Sequence, residues 1–428
     1  MSTSIMPYVS PRSLVIEPRF DENETSPIFL SHSLEMYLRK LKDQINEHSK
    51  VWDVYKKYTN PYESIHSAFS GTQPVCQLKP ISRSYFKMIE IMNMFDLTKT
   101  LPSNKMQSFH LAEGPGGFIE ALSQVRNNPD DIYVGMTLLS DDNNVPGWRK
   151  SQAFLDKNPN VHIEYGDDMT GNIMVERNLM RCSRLYGASM DLVTADGGFD
   201  FSGDFNAQET KMGGLLYSQV VFASALQKQG GTFILKMFDT FSLLSVQILY
   251  LLSVMYEKVY IVKPNTSRYA NSERYVVAQG FRSNDGRKEW TIQFLDNYEK
   301  VQTHNLYSIF TVEVPSLYLT RIEECNAALG QQQMDTISAT LTLIRNPRQD
   351  KIEKMRSSNI QKCVVWCQKN KVPYNRDVRQ LNMFLSARNK VSRVPKKSPP
   401  IEPSELCEDD DKLIDLGINV ENTESQQS

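Results

Sequence analysis

Four charged residues far apart in the chain, Lys87, Asp196, Lys236 and Glu273, supply two amines and two carboxylates. Such a set can orient a weak oxygen nucleophile, assist its proton loss and stabilise the charge that develops. Between the first two lies HLAEGPGGFIEAL, residues 110–122. Its glycines permit a tight turn and close approach of a ligand to the backbone. The helix expected to follow presents unpaired N–H groups at its start.

This stretch is not the dinucleotide pattern GxGxxG, and no GK[ST] follows to make a phosphate loop. An adenosine-type cofactor without a pyrophosphate fits better, held around Glu113, Gly114, Pro115, Gly116, Gly117 and Phe118. Glu113 would suit a cofactor ammonium. In EYGDDMTG, Asp167 or Asp168 follows a glycine at a strand end, where a carboxylate can accept from an adenine amino group. Asp196 follows an apolar strand and precedes two glycines. Taken singly, such an Asp is a cap or turn residue; repetition after successive strands favours a shared pocket. The other charges also have bland readings. Lys87 is then a surface lysine beside an apolar stripe, Lys236 a strand-end charge and Glu273 a turn residue.

The elements that must bring these residues together alternate between strand-like and helix-like segments. Strands are expected at SFHLAEG, DIYVGMTL, VHIEYGD, DLVTADGG, GTFILKMF, KVYIVKP and YVVAQGF. Helices are expected at residues 82–95, at GFIEALSQV, at KMGGLLYSQVVFASALQKQG with glycine ending it, and at 241–256. This alternation predicts an α/β fold with a mostly parallel sheet covered on both faces. Residues 1–30 read as an extended arm. One helix is expected from Ser31 to the stop at Asn60-Pro61, and SIFTVEV looks strand-like. Four regions result: an arm and helix (1–58), the α/β domain (59–310), a mainly helical accessory region (311–395) and an acidic flexible tail (396–428).

Composition narrows the classes. Apolar content of 40% and charged content of 23% over 428 residues fit a globular protein. The net charge of −2 hides an asymmetry: residues 345–397 hold fifteen Lys/Arg against three acids, and nine acids follow from Glu402 against Lys412 alone. Six cysteines are too sparse for a disulfide framework. Cys363 and Cys367 lack partners for a zinc set and are expected to pack as small apolar residues, so no metal is expected. The N-terminus lacks a signal-peptide pattern. FSLLSVQILYLLSVMY reads as a buried helix rather than a membrane span. An intracellular protein with no membrane association is the expectation.

Taken in order, SRSYFKM (82–88), LAEGPGGF (111–118), MTL (136–138), TADGG (194–198), LKMF (235–238) and NSERYVV (271–277) resemble the motifs of FtsJ-like RNA 2′-O-ribose methyltransferases. The mRNA cap-modifying branch is the nearer likeness, and TNPYESIH (59–66) resembles its entry segment. The resemblance covers about residues 50–285. It implies a Rossmann-like S-adenosylmethionine-dependent methyltransferase fold with S-adenosyl-L-methionine as cofactor. It also implies a Lys–Asp–Lys–Glu tetrad at Lys87, Asp196, Lys236 and Glu273. Lys236 is then the central residue, acting as a base or as an orienting charge. Asp196 and Glu273 hold the lysines, and Lys87 aligns charge near the ribose. Where many adenosyl-cofactor enzymes carry an acid after the second strand, this chain has GMTLL, with Asp141 and Asp142 further on. The TL pattern is shared with cap-directed members, and Thr137 or Leu138 is expected to line the pocket.

The implied substrate is RNA near a 5′ cap, with capping or transcription machinery as a further partner class. Lys79, Arg83, Arg149 and Lys150 are candidates for phosphate contact. Trp148 or Tyr269 is a candidate for base stacking, and the basic 345–397 segment for an RNA groove or a subunit contact. An rRNA methyltransferase and a noncatalytic RNA-binding scaffold are the competing readings.

Overall fold

Strand β7 (Gln227–Met237) shows how the sequence builds the core. Phe233, Leu235 and Met237 enter one apolar cluster and Ile234 the other, as period-two alternation requires in a sheet covered on both faces. The computed structural model describes residues 2–10, 14–21, 28–68, 73–140, 147–198, 205–282 and 287–375. Asp141, Asp142, the segment VRQLNMFLSARNK and the acidic tail lie outside them.

Leaving out single-turn helices, the chain runs β1 (Ser2–Ile5), β2 (Arg19–Asp21), α1 (His32–Asn46), α2 (Ser49–Thr59), α3 (Ser84–Met94), β3 (Gln107–Leu111), α4 (Gly117–Arg126) and β4 (Ile132–Met136). It continues through β5 (Val161–Ile163), α5 (Glu176–Tyr186), β6 (Met190–Ala195), α6 (Gly213–Leu226), β7 (Gln227–Met237), α7 (Leu243–Met255) and β8 (Tyr256–Lys263). The last elements are β9 (Arg274–Phe281), α8 (Arg287–Leu295), β10 (Asn305–Ser308), α9 (Ser316–Arg345) and α10 (Gln349–Lys369).

Eight strands form one sheet in the order β1-β8-β9-β7-β6-β3-β4-β5. Strands β3 to β7 pair in parallel, while β9 runs antiparallel between β7 and β8. Helices α3, α4 and α10 bury Phe86, Phe118 and Ile360 on one face. Helices α5, α6, α7 and the start of α9 cover the other with Leu179, Val220, Leu251 and Tyr318. This is the expected α/β architecture of a Rossmann-like methyltransferase, with a central sheet flanked by helices. Helix α7 is buried from Leu244 to Met255. Its Gln247 is satisfied by Phe310 and Ile309 main-chain groups at 2.7 and 2.8 Å. Cys363 and Cys367 pack in the apolar cluster beneath α10. Among the described residues, no helix is long and apolar enough to cross a membrane.

Four local expectations change. The arm contributes β1, an edge strand antiparallel to β8; its polar STSI is held by backbone pairing that hydropathy does not report. The expected long helix is divided into α1 and α2 around Glu47 and His48. Helix α6 ends at Leu226, four residues before the glycines, and the chain passes directly into β7. Buried Gln227 anchors that corner by donating to the Met190 and Asp191 carbonyls at 3.0 and 3.3 Å. In place of a strand across SIFTVEV, β10 covers Asn305–Ser308 and pairs with β2.

Candidate active site

Alternation also decides where the four charges go. On β6, Leu192 faces the α3/α4 side, so Asp196, four residues on, emerges on that side. On β7, Lys236 shares the side of Ile234, and on β9 Glu273 shares that of Tyr275 and Val277. Because β9 is antiparallel to β7, with Lys236 opposite Tyr275, its first residues lie beside the last residues of β7. Lys87 comes down from α3 on the same side.

The result is two linked ion pairs. Lys87 Nζ donates to Glu273 Oε2 at 2.8 Å. Lys236 Nζ donates to the Asp196 carbonyl at 2.6 Å and sits 3.4 Å from Asp196 Oδ1. Tyr275, missed from sequence though inside the quoted NSERYVV, bridges them. Its hydroxyl donates to Asp196 Oδ1 at 2.7 Å, and Lys87 Nζ lies 5.8 Å from its ring centroid. Burial alone would raise the Glu273 pKa; Lys87, Lys236 and Lys263 outweigh it and hold the carboxyl down at about 2.

The glycine turn adjoins this centre. Gly116 takes φ 105° at the start of α4, a conformation that requires glycine. A Cβ on Gly117 would lie 2.1 Å from Ser82 Oγ, so this residue lets α4 close on the approach to α3. Glu113 Oε1 accepts from the Phe118 and Ile119 amides at 2.7 and 3.3 Å. Among the described residues its Oε2 is buried with no partner, as are Thr137 Oγ1 and Trp148 Nε1. Burial and the neighbouring Asp196 push the Glu113 pKa well up, against the helix amides and Lys236. A buried carboxylate oxygen and hydroxyl lacking partners beside a glycine cradle fit a polar, cationic ligand such as S-adenosyl-L-methionine. Thr137 is buried, and Leu138 partly buried, at the end of β4.

Other sequence candidates are divided. Asp168 is engaged in its own loop, accepting from Thr170 N, Thr170 Oγ1 and Asn178 Nδ2 at 3.0, 2.7 and 2.9 Å. Its neighbour Asp167 is exposed and lines a cleft of about 680 Å³ with Arg177, Arg181 and Arg184, a lining that includes none of the four charges. Trp148 packs over the glycine turn rather than standing free for a base. A Cβ on Gly135 would come within 2.6 Å of its ring, so the missing side chain makes the indole's slot. Arg83 turns toward buried Glu63 at 3.6 Å, and Arg149 donates to the Ser140 carbonyl at 2.7 Å. Lys263, Glu90 and Arg268 were also unmarked in the sequence. A lysine ending the apolar run VYIVK is the signal for the first; the other two become visible only through their partners.

Residues 80–281 match the model of the FtsJ-like methyltransferase family. A Danio rerio protein described as cap-specific mRNA (nucleoside-2'-O-)-methyltransferase 2 is 29% identical over 325 residues, which is 73% of this chain and 43% of that protein. Cap-specific mRNA (nucleoside-2'-O-)-methyltransferase 1 of Dictyostelium discoideum is 31% identical over 310 residues, 67% of this chain and 39% of the relative. A Caenorhabditis briggsae protein described as inactive cap-specific mRNA (nucleoside-2'-O-)-methyltransferase 1B is 27% identical over 334 residues, 69% of this chain and 39% of its own length. The chain thus spans less than half the length of these curated relatives. Similarity extends to an inactive protein as well, so the site's own residues must carry the functional argument. The likeness to the FtsJ-like methyltransferase family is thus carried by residues 80–281 of this chain.

Proposed function

We propose that this protein transfers a methyl group from S-adenosyl-L-methionine to a ribose 2′-oxygen near the 5′ cap of mRNA. One observation carries the reading: two lysine–carboxylate pairs meet at the strand ends beside a glycine turn whose buried carboxylate oxygen lacks a partner among the described residues. The cofactor supplies an electrophilic methyl on a positively charged sulfur. What this chain must do is hold the hydroxyl in line and accommodate its developing charge.

Lys236 is the central group. Asp196 takes up part of its donor capacity through the carbonyl at 2.6 Å, and an ammonium has three donors, leaving capacity for a ribose oxygen. Lys236 orients the 2′-hydroxyl and stabilises its oxygen as the proton is lost. Lys87, fixed by Glu273, adds positive charge on the same side. Glu113 and Thr137 hold the cofactor, with Gly114, Gly116 and Gly117 allowing close approach. Asp167, exposed in the loop that follows β5, takes the adenine amino group. Capped RNA as acceptor rests on the likeness to relatives described as cap-specific, the inactive one among them. The inactive relative favours a scaffold as the second reading, and the intact pairs here argue for chemistry.

The test supplies labelled S-adenosyl-L-methionine with matched capped and uncapped RNAs and maps the modified nucleotide. Transfer to a 2′-oxygen near the capped end, lost in Lys236→Ala, is expected. Equal transfer to uncapped structured rRNA would overturn the cap assignment, and RNA binding without transfer would establish a scaffold.

A further inference from the structure

The loop between β8 and β9, residues 264–273, ends on Glu273, which it delivers to the site, and is held along its length. Buried Glu90, one turn from Lys87 on α3, accepts from Asn265 N and Nδ2 at 2.9 and 2.8 Å, and from Thr266 N and Oγ1 at 3.1 Å each. Arg268 forks onto buried Glu63 at 3.1 and 2.8 Å. Gln333 of α9 donates to the Ala270 carbonyl at 3.1 Å. These bonds fix the body of the loop but not its mouth. The β8–β9 ladder has its last pair at Val262 and Tyr275, after which the strands part. There Lys263, only 4% exposed, turns its amine to the carbonyls of Asn271, at 2.6 Å, and Glu273. The Asn271 side chain closes the turn by accepting from Glu273 N at 2.9 Å.

We propose that Lys263 is a positioning residue of this centre: it clasps the loop mouth through two main-chain carbonyls and so fixes the Glu273 carboxylate against Lys87. A lysine suits the task because its amine can donate to both carbonyls whether or not it carries the extra proton. The groups facing it are Glu273, Arg274, Lys87 and Asp239. Burial, with Arg274 and Lys87, lowers its pKa against Glu273 and Asp239, to about 7. The clasp therefore persists across neutral pH while its charge beside Glu273 changes.

The rate prediction rests on the methyl-transfer reading; the stability prediction does not. The full chain is compared with Lys263→Met and with Lys263→Gln, which retains donors. Transfer to capped RNA, cofactor affinity and urea unfolding are each measured from pH 6 to pH 9. In K263M, kcat should fall about 10- to 100-fold, the scale of a misplaced reacting group, with cofactor affinity within about twofold. K263Q should recover part of that loss. A kcat within about twofold of the parent, or a fall matched by weaker cofactor binding, overturns the proposal. If the parent protein itself transfers nothing, the methyl-transfer reading fails separately. The clasp is then judged by unfolding: an unfolded lysine keeps its proton to higher pH than Lys263 does, so the parent should gain stability over K263M as pH rises from 7. An unfolding midpoint of K263M equal to that of the parent at every pH overturns it. Should K263M not fold, K263Q carries the same measurements.

Discussion

Two buried charge clusters sit within a few residues of each other in sequence and do different work. Lys236 and Glu273 belong to the first; Asp239 and Arg274 belong to the second. In the second, Asp239 accepts from Lys42 of α1 at 2.9 Å and from Arg274 at 3.1 Å. Arg274 also reaches Thr240 Oγ1 and Asn326 Oδ1 of α9 at 3.1 and 3.0 Å. Asn326 returns a bond to the Thr240 carbonyl at 2.9 Å. Side chains there are 7% exposed or less, whereas Lys87 and Asp196 in the first cluster are 15% and 13% exposed. Alternation separates the two: Arg274 follows Glu273 on β9 and so faces the opposite side of the sheet. One network is closed and ties α1 and α9 to the sheet; the other opens beside a turn with unpartnered polar atoms. Charge count alone would not tell them apart.

The largest effects should fall oppositely on the two. Lys236→Ala is expected to cut transfer by about a thousandfold or more, the scale of removing a group that stabilises developing charge, with a smaller loss of stability because Asp196 stays partly exposed and keeps its bond from Tyr275. Asp239→Ala strands two buried cations and should cost about 3–5 kcal/mol of stability, read by urea unfolding. Loss of transfer in the Asp239 variant at unchanged stability would erase the distinction drawn between the clusters.

A middle-sized effect is acid sensitivity. Glu273, held at about 2 against an ordinary value of 4.5, contributes stability that is complete above pH 4.5 and is lost as pH falls toward 2. Glu273→Gln should remove that part of the acid slope, so the gap between parent and variant narrows on acidification. Burial alone would push Asp239 up, but Lys42 and Arg274 hold it low. The variant should therefore retain the slope that comes from the closed cluster, and a variant with no acid slope left would merge the two.

Much of the open cluster was legible because its motifs stand in the order of the family it resembles, beside local signals that marked its place. Strand alternation located the ends of β6 and β7, and glycines at 114, 116 and 117 marked the turn. The closed cluster was not, since Lys42, Asp239 and Asn326 are ordinary polar residues until tertiary partners bury them. The same holds for Lys263, which reads as a strand-end surface charge, and for β1, whose only sequence trace is a polar tetrapeptide. The choice between Asp167 and Asp168 was open for a related reason: the bonds from Thr170 and Asn178 that engage Asp168 depend on how the loop returns.

The smallest effect sharpens the contrast between closed and open polar groups. Thr137 Oγ1 is buried at the end of β4 with no partner among the described residues, and a Cβ on Gly114 would lie 3.0 Å from it. Thr137→Val keeps the shape and deletes the hydroxyl. If that hydroxyl awaits a ligand, the free protein should gain about 1 kcal/mol, since a buried donor without a partner is costly. Affinity for S-adenosyl-L-methionine should fall about five- to tenfold, the worth of one hydrogen bond. Calorimetric titration and urea unfolding of one variant give both signs. A hydroxyl belonging to a closed network would behave in the opposite way, with stability lost and ligand affinity unmoved, and that outcome would remove Thr137 from the cofactor cradle while leaving the two lysine pairs in place.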